Sequence, residues 1–178
     1  MNRSFFLAAL MLGCVATVQA QHQPYSGQQH RAIKALSAEE VKQYLDGAGM
    51  EYAKAAELNR YPGPLHALQL ADKIGLSAAQ IAATQTLMAS HKAQAREIGK
   101  RLVQAEEGLD ALFRSGTATA GDLANAVHRT AQLQGEYRLS HLETHRQLRA
   151  LLTDEQVARY DELRGYSAGS GGHSGHSK

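Results

Sequence analysis

Two histidines four residues apart, in His141-Leu-Glu-Thr-His145, bear most directly on chemistry. On a helix, positions i and i+4 share a face, so both imidazoles can offer a ring nitrogen to one metal ion. The pattern is not the His-Glu-x-x-His of zinc proteases. Glu143 is two residues from each histidine, about 200° around the helix from either, and is badly placed as their catalytic base. His91 joins them through register. With Leu112 opposite Leu123, facing positions sum to about 235, which sets His91 against Thr144, between the two histidines. Met88 lies one turn from His91. The candidate is a pocket of His91, His141 and His145 for Zn²⁺, Ni²⁺ or Cu²⁺, with Met88 or a water as fourth ligand. The same residues would also serve as polar fillers at a helix interface, and the sequence leaves both roles open.

The remaining histidines carry less. His173 and His176 sit in a Gly/Ser stretch, with His22 and His30 near the other end; ordering such segments around an ion costs chain entropy. His66 follows Pro62-Gly-Pro64 in the first turn of a helix and reads as structural. No nucleophile elbow, Gly-rich phosphate loop or paired acids in a strand-supported cleft is present, so the chain does not read as an enzyme, and no cofactor is required.

The elements that must position these residues are helices. Ser37-Ala-Glu-Glu40, Ser77-Ala-Ala-Gln80, Thr119-Ala-Gly-Asp122 and Thr153-Asp-Glu-Gln156 each pair a capping hydroxyl with an acceptor three residues on. Ile81, Thr84, Met88, His91, Ala95, Ile98, Leu102, Ala105, Leu109 and Leu112 recur at 3,4 spacing, predicting one helix from Ser77 to about Ser115. Its seam runs about 58 Å at 1.5 Å per residue. Leu123, Val127, Thr130, Tyr137, His141, Thr144, Leu148 and Leu151 define a second helix, from about Ala120 to Leu151, antiparallel to the first across a short connection. A first helix over about Ser37 to Asn59, a short one over Leu65 to Ile74 and a closing one from Thr153 to about Arg164 complete the set, with Tyr61-Pro-Gly-Pro64 as the breaker between the first two. Gly99, Gly108 and Gly135 lie inside the long helices, each costing about 1 kcal/mol against alanine, and close helix approach is the reading preferred over flexing.

The ends set the compartment. Asn2 and Arg3 precede an uncharged apolar run from Phe5 to Val18, and Val18-Gln19-Ala20 supplies small residues for cleavage. Residues 1–20 therefore read as a secretory signal peptide, and nothing later approaches the roughly 18 to 20 apolar residues of a membrane span. The single cysteine, Cys14, falls within that signal; Leu12 is too bulky for a good lipoprotein box there, so cleavage after Ala20 is expected to leave no thiol. Residues 21–35 and 167–178 read as disordered tails around a helical domain over 36–166. The formal net charge of +2 argues against nucleic acid, which calls for a concentrated basic patch. With no tryptophan, three phenylalanines and seven tyrosines, the chain has the Ala/Leu/Gln/Glu composition of an all-α protein. Lys92, Arg96, Lys100, Arg101, Arg129, Arg138, Arg146 and Arg149 stand beside small apolar residues, a surface suited to electrostatic capture of unfolded chains; Glu97, Glu106, Glu107 and Glu136 are interspersed, as on any solvated face.

Two of the caps extend into a longer repeat, Leu76-Ser-Ala-Ala-Gln80 and Leu152-Thr-Asp-Glu-Gln156, one opening the long helix and one the last. This pair resembles the LTxxQ signature of the Spy/CpxP family of periplasmic proteins. Ala56-Glu-Leu-Asn-Arg-Tyr-Pro-Gly-Pro-Leu-His66 and Arg159-Tyr-Asp-Glu-Leu-Arg-Gly-Tyr166 resemble one branch of that group, so the likeness covers roughly Leu36 to Tyr166. It departs in one place, Ser77 standing where the motif has threonine. The resemblance implies a four-helix, hairpin-based fold forming a cradle-shaped homodimer in the periplasm. It implies an ATP-independent chaperone holding unfolded or stress-damaged envelope proteins, or, as in CnrX- and ZraP-like relatives, a heavy-metal sensor or buffer with a membrane signalling partner.

Overall fold

Hydroxyl side chains start the helices where the sequence puts them. In the computed structural model, which describes residues 24–166, α1 (Ala38–Asp46), α5 (Ala78–Ser115) and α7 (Asp154–Arg164) each begin at a full capping box. Ser37, Ser77 and Thr153 accept from the backbone of Glu40, Gln80 and Gln156, whose side chains accept back from the cap N–H. Thr119 caps α6 (Ala120–Leu151) by accepting from the Asp122 N–H. Short helices α2 (Lys54–Glu57), α3 (Pro64–Gln69) and α4 (Ala71–Ile74) lie between α1 and α5. The described residues hold seven α-helices, one 3₁₀ turn (Gln28–His30) and no strand, so the fold is all-α. No helix among them is long and apolar enough to cross a membrane. The signal sequence read over 1–20, Cys14, His22 and the tail with His173 and His176 lie outside the described residues.

Two segmentations differ from the sequence reading. The helix expected over Ser37 to Asn59 stops at Gly47, in the left-handed region at φ 63°, and the chain returns to positive φ at Met50 (42°) and Glu51 (61°) before α2 begins. The 3.6-residue pattern continued past Gly47, but the glycine supplies a C-cap that propensity alone did not weigh. The short helix expected over Leu65 to Ile74 breaks at Leu70 into α3 and α4. The segment 21–35, read as disordered, ends in ordered packing: Ile33 is 7% exposed and joins the core.

α5 and α6 pack along each other as antiparallel neighbours joined through residues 116–119. Arg101 donates to Glu136 at 3.2 Å, and at the far end Gln80 donates to the Leu151 carbonyl at 2.8 Å. Gly99 explains itself: a Cβ there would lie 2.1 Å from the Tyr44 carbonyl oxygen, because the end of α1 presses onto α5. Gly108 and Gly135 have nothing within 4 Å of such a Cβ, so close approach does not account for them.

The core is in two pieces. One cluster gathers Ile33, Leu36, Tyr44, Ala95, Ile98, Leu102, Leu133 and Tyr137, where α1 lies on α5 and α6. The other gathers Ala67, Ile74, Leu148, Leu152, Val157 and Tyr160, where α3, α4 and α7 close the open end. Each fully buried leucine contributes about 2 kcal/mol of apolar transfer free energy. Along α5 the first cluster ends at Ala95 and the second takes up at Leu87; along α6 they are separated between Tyr137 and Leu148. Met88, His91, His141, Thr144 and His145 fall in that gap.

The two glutamines of the repeated motif meet. Gln80 Nε2 donates to Gln156 Oε1 at 2.8 Å and Gln156 Nε2 donates to Gln80 Oε1 at 3.0 Å. Gln156 also donates to the Gly75 carbonyl at 2.9 Å. Both capping boxes are thereby tied into one polar joint across the open end.

Candidate functional site

The gap between the clusters opens into a cavity of about 690 Å³, lined by Met50, Glu57, Met88, His91, His141 and His145 among others. α5 brings Met88 and His91 to it one turn apart, α6 brings His141 and His145, and the segment from α1 to α3 adds to the wall together with Arg164 at the end of α7 and Tyr166. The structure thus places all three sequence-predicted histidines on one cavity.

An aromatic block sets the His141 ring. Tyr44 and Tyr52 meet Tyr137 edge-on at 5.2 and 5.3 Å, and the Tyr137 hydroxyl donates to the Ala48 carbonyl at 2.6 Å. The His141 ring lies 4.7 Å from that of Tyr137 and its residue is 4% exposed. Its Nδ1–H donates to the Tyr137 carbonyl at 2.9 Å, which leaves Nε2 with the lone pair. Nε2 is buried and has no hydrogen-bond partner. Burial pushes the imidazole pKa down, and the Tyr137 and Ala48 carbonyls offset part of that.

His91 meets His141 edge-on, ring centroids 4.5 Å apart, and its Nδ1 is likewise buried without a partner. Burial first, then His141, His145 and Lys92, lower its pKa to about 4, against a smaller opposing effect of the Ser140 carbonyl. It is therefore a neutral ring at physiological pH, with a lone pair to give. The register had set His91 against Thr144; the ring contact falls one turn away, on His141.

His145 stands apart from that pair. Its Nδ1–H donates to the Tyr61 carbonyl at 2.8 Å and lies 3.7 Å from Glu57 Oε2. Gly63 makes the room: a Cβ there would be 3.0 Å from His145 Cε1 and 3.3 Å from Nε2. Among the described residues no group of three or more His, Cys, Asp or Glu side chains is arranged to hold a metal ion. The three-histidine set resolves into a close pair, His91 and His141, with His145 anchored beside it.

Glu57 is the residue that sequence reasoning missed. Its Oε1 accepts from the Tyr160 hydroxyl at 2.6 Å and from that of Tyr166 at 3.3 Å, with Arg164 Nε 3.6 Å away. Oε2 is buried and makes no hydrogen bond. One carboxylate thus links α2 to α7 and to the cavity wall. A lone acid before Tyr61-Pro-Gly-Pro64 carries no spacing signal that would mark it. His66 donates from Nδ1 to Gln69 Oε1 at 3.0 Å within α3 while also lining the cavity, and His30 is exposed, beside Gln29.

The outer face of the hairpin is mixed. Of the cations noted in the sequence, Arg101, Arg146 and Arg149 are paired with Glu136, Glu143 and Asp154. Lys92, Arg96, Lys100, Arg129 and Arg138 make no ion pair among the described residues; Arg138 lies over the Tyr52 ring. Phe113, Val127, Leu139 and Leu151 are exposed along the same two helices. Comparison with protein-family models, with curated proteins and with solved structures finds no match to this chain.

Proposed function

We propose that this chain is a non-catalytic stress-response protein of the bacterial cell envelope, exported to the periplasm, whose central cavity binds a transition-metal ion. The observation that carries the reading is a pair of buried, unpartnered imidazole nitrogens, His91 Nδ1 and His141 Nε2, on residues lining one cavity. Burying a ring nitrogen without a partner costs about 1–3 kcal/mol, which apolar side chains in the same gap would avoid. A filler role accounts poorly for two such atoms together. The backbone carbonyls that anchor Nδ1 of His141 and of His145 also match the way ligating imidazoles are held by their other nitrogen. The ion would be sensed or sequestered, as the metal-binding relatives within the Spy/CpxP resemblance imply. Calorimetry with Zn²⁺, Ni²⁺ and Cu²⁺ on a His173→Ala/His176→Ala chain tests it. A tail-independent site that His141→Gln removes supports the reading; no heat above dilution for any of the three ions sinks it.

ATP-independent holding of unfolded clients, the reading the resemblance favours first, is the second. It is supported by the exposed Phe113, Val127, Leu139 and Leu151 set among cations without acidic partners, a surface able to attract a chain by charge and then hold it by apolar contact. It goes with a four-helix hairpin fold and a cradle-shaped homodimer, which sedimentation at increasing concentration would reveal. Aggregation of a chemically denatured client, measured in EDTA and then with zinc, separates the two readings. Suppression in EDTA makes the protein a metal-independent holdase; no suppression in either condition removes client holding.

A further inference from the structure

The donors that reach the cavity are of one kind. His91 Nδ1 and His141 Nε2 are buried imidazole nitrogens without hydrogen-bond partners, and Met88 and Met50, the thioether residues, line the same cavity. Met88 precedes His91 by one turn on α5, so the two share a face. The carboxylates on the wall are only two, and of the Glu57 oxygens one is engaged. Glu57 Oε1 accepts from Tyr160 and Tyr166 beside Arg164, Oε2 lies 3.7 Å from His145 Nδ1 without a hydrogen bond, and Glu51 pairs with Lys54. The wall as a whole carries Lys54, Lys92 and Arg164 against Glu51 and Glu57, a surplus of positive charge. A dication entering between two apolar clusters would find a single carboxylate oxygen, Glu57 Oε2, on a wall of surplus positive charge, and its desolvation cost grows as the square of its charge. Thioether beside two imidazoles is a donor set that favours a soft ion over a hard one.

We infer that this cavity is a site for Cu(I), a soft monovalent cation, with His91 Nδ1, His141 Nε2 and the Met88 sulfur as its ligands and Met50 at its margin. The inference rests on the metal-binding reading and narrows it: the ion is monovalent and sulfur-ligated, and His145 with Glu57 braces the wall instead of coordinating.

The test is an anaerobic competition for Cu(I) between the full chain, carrying His173→Ala and His176→Ala, and bicinchoninate, beside a Zn²⁺ titration of the same protein. The chain should draw Cu(I) from the chelator. Met88→Leu should weaken Cu(I) by about tenfold or more and leave any Zn²⁺ affinity unchanged, while His141→Gln should abolish Cu(I) uptake. X-ray absorption of the Cu(I) complex should show a sulfur neighbour that Met88→Leu removes; this reading on the unsubstituted site keeps the test sound if a variant folds badly. Tail-independent Zn²⁺ binding without Cu(I) binding, or a copper shell of nitrogen and oxygen alone, overturns the inference and leaves the metal reading standing. Failure of both ions to bind overturns both.

Discussion

Glu57 lies 3.7 Å from His145 on the cavity side and, through Oε1, accepts from Tyr160 and Tyr166 beside Arg164 on the far side of the wall. Truncating that carboxylate strands a buried tyrosine hydroxyl and leaves a guanidinium without its partner. Glu57→Ala should therefore lower unfolding free energy by about 2–3 kcal/mol, read as a drop in the urea midpoint at unchanged slope. The buried imidazoles make a second prediction, in pH. Folding depresses the His91 pKa from 6.5 to about 4, so the native state favours the neutral ring. The stability this lends is whole above pH 6.5 and drains as pH falls from 6.5 towards 4, because the unfolded chain takes the proton first. His141, also depressed, works in the same direction, and the other charges set against His91 are His145 and Lys92. Urea melts in EDTA should show stability declining across that window, and His91→Gln should flatten the slope. An unchanged slope in the variant would mean that some other group carries the acid sensitivity.

At the scale of elements, what the sequence disclosed and what it hid follow from range. Caps and seams are local: Ser77 with Gln80, or Ile98 with Leu102, can be recognised within a turn or two, and α5, α6 and α7 begin and end within a residue of their expected places. His91, His141 and His145 were legible as a group because a two-helix register is arithmetic once both seams are known. Glu57 was not, since its partners are about a hundred residues away on α7 and no periodicity connects them. The break at Gly47 was hidden for another reason: a glycine inside a helical pattern reads as a tolerated cost until the left-handed cap is seen. The three internal glycines separate cleanly in consequence. Gly99→Ala should destabilise by about 3 kcal/mol, because the new carbon meets backbone that cannot give way. Gly108→Ala and Gly135→Ala should each stabilise by about 1 kcal/mol, since their surroundings are open and alanine is the better helix former. Thermal melts of the three variants check both signs.

At the scale of the whole molecule, the core is two apolar clusters interrupted by a polar gap. An ion bound there would join α5 to α6 where the core is interrupted. At a free concentration of a hundred times the dissociation constant it should add about 2.7 kcal/mol to stability, provided the unfolded chain does not bind it. Melting with and without the ion, repeated on Met88→Leu and His141→Gln, would show that gain and its loss. A shift that persists in His141→Gln would place the ion elsewhere on the chain.

Gln80 and Gln156, bonded amide to amide, make the stretch of chain between them a ring closed without a covalent bond. Neither helix start can fray alone, because each glutamine serves its own cap and the other's side chain at once. Unravelling then has a direction: it begins at the free tip around Ser115 to Thr119 and travels towards the tie. Hydrogen exchange should record that order, with amides near Phe113 and Leu123 opening well before those of Thr84 and Val157, and Gln156→Ala should bring the two ends closer together in rate. The histidine cavity lies nearer the tied end, so the tip can breathe while the cavity keeps its shape.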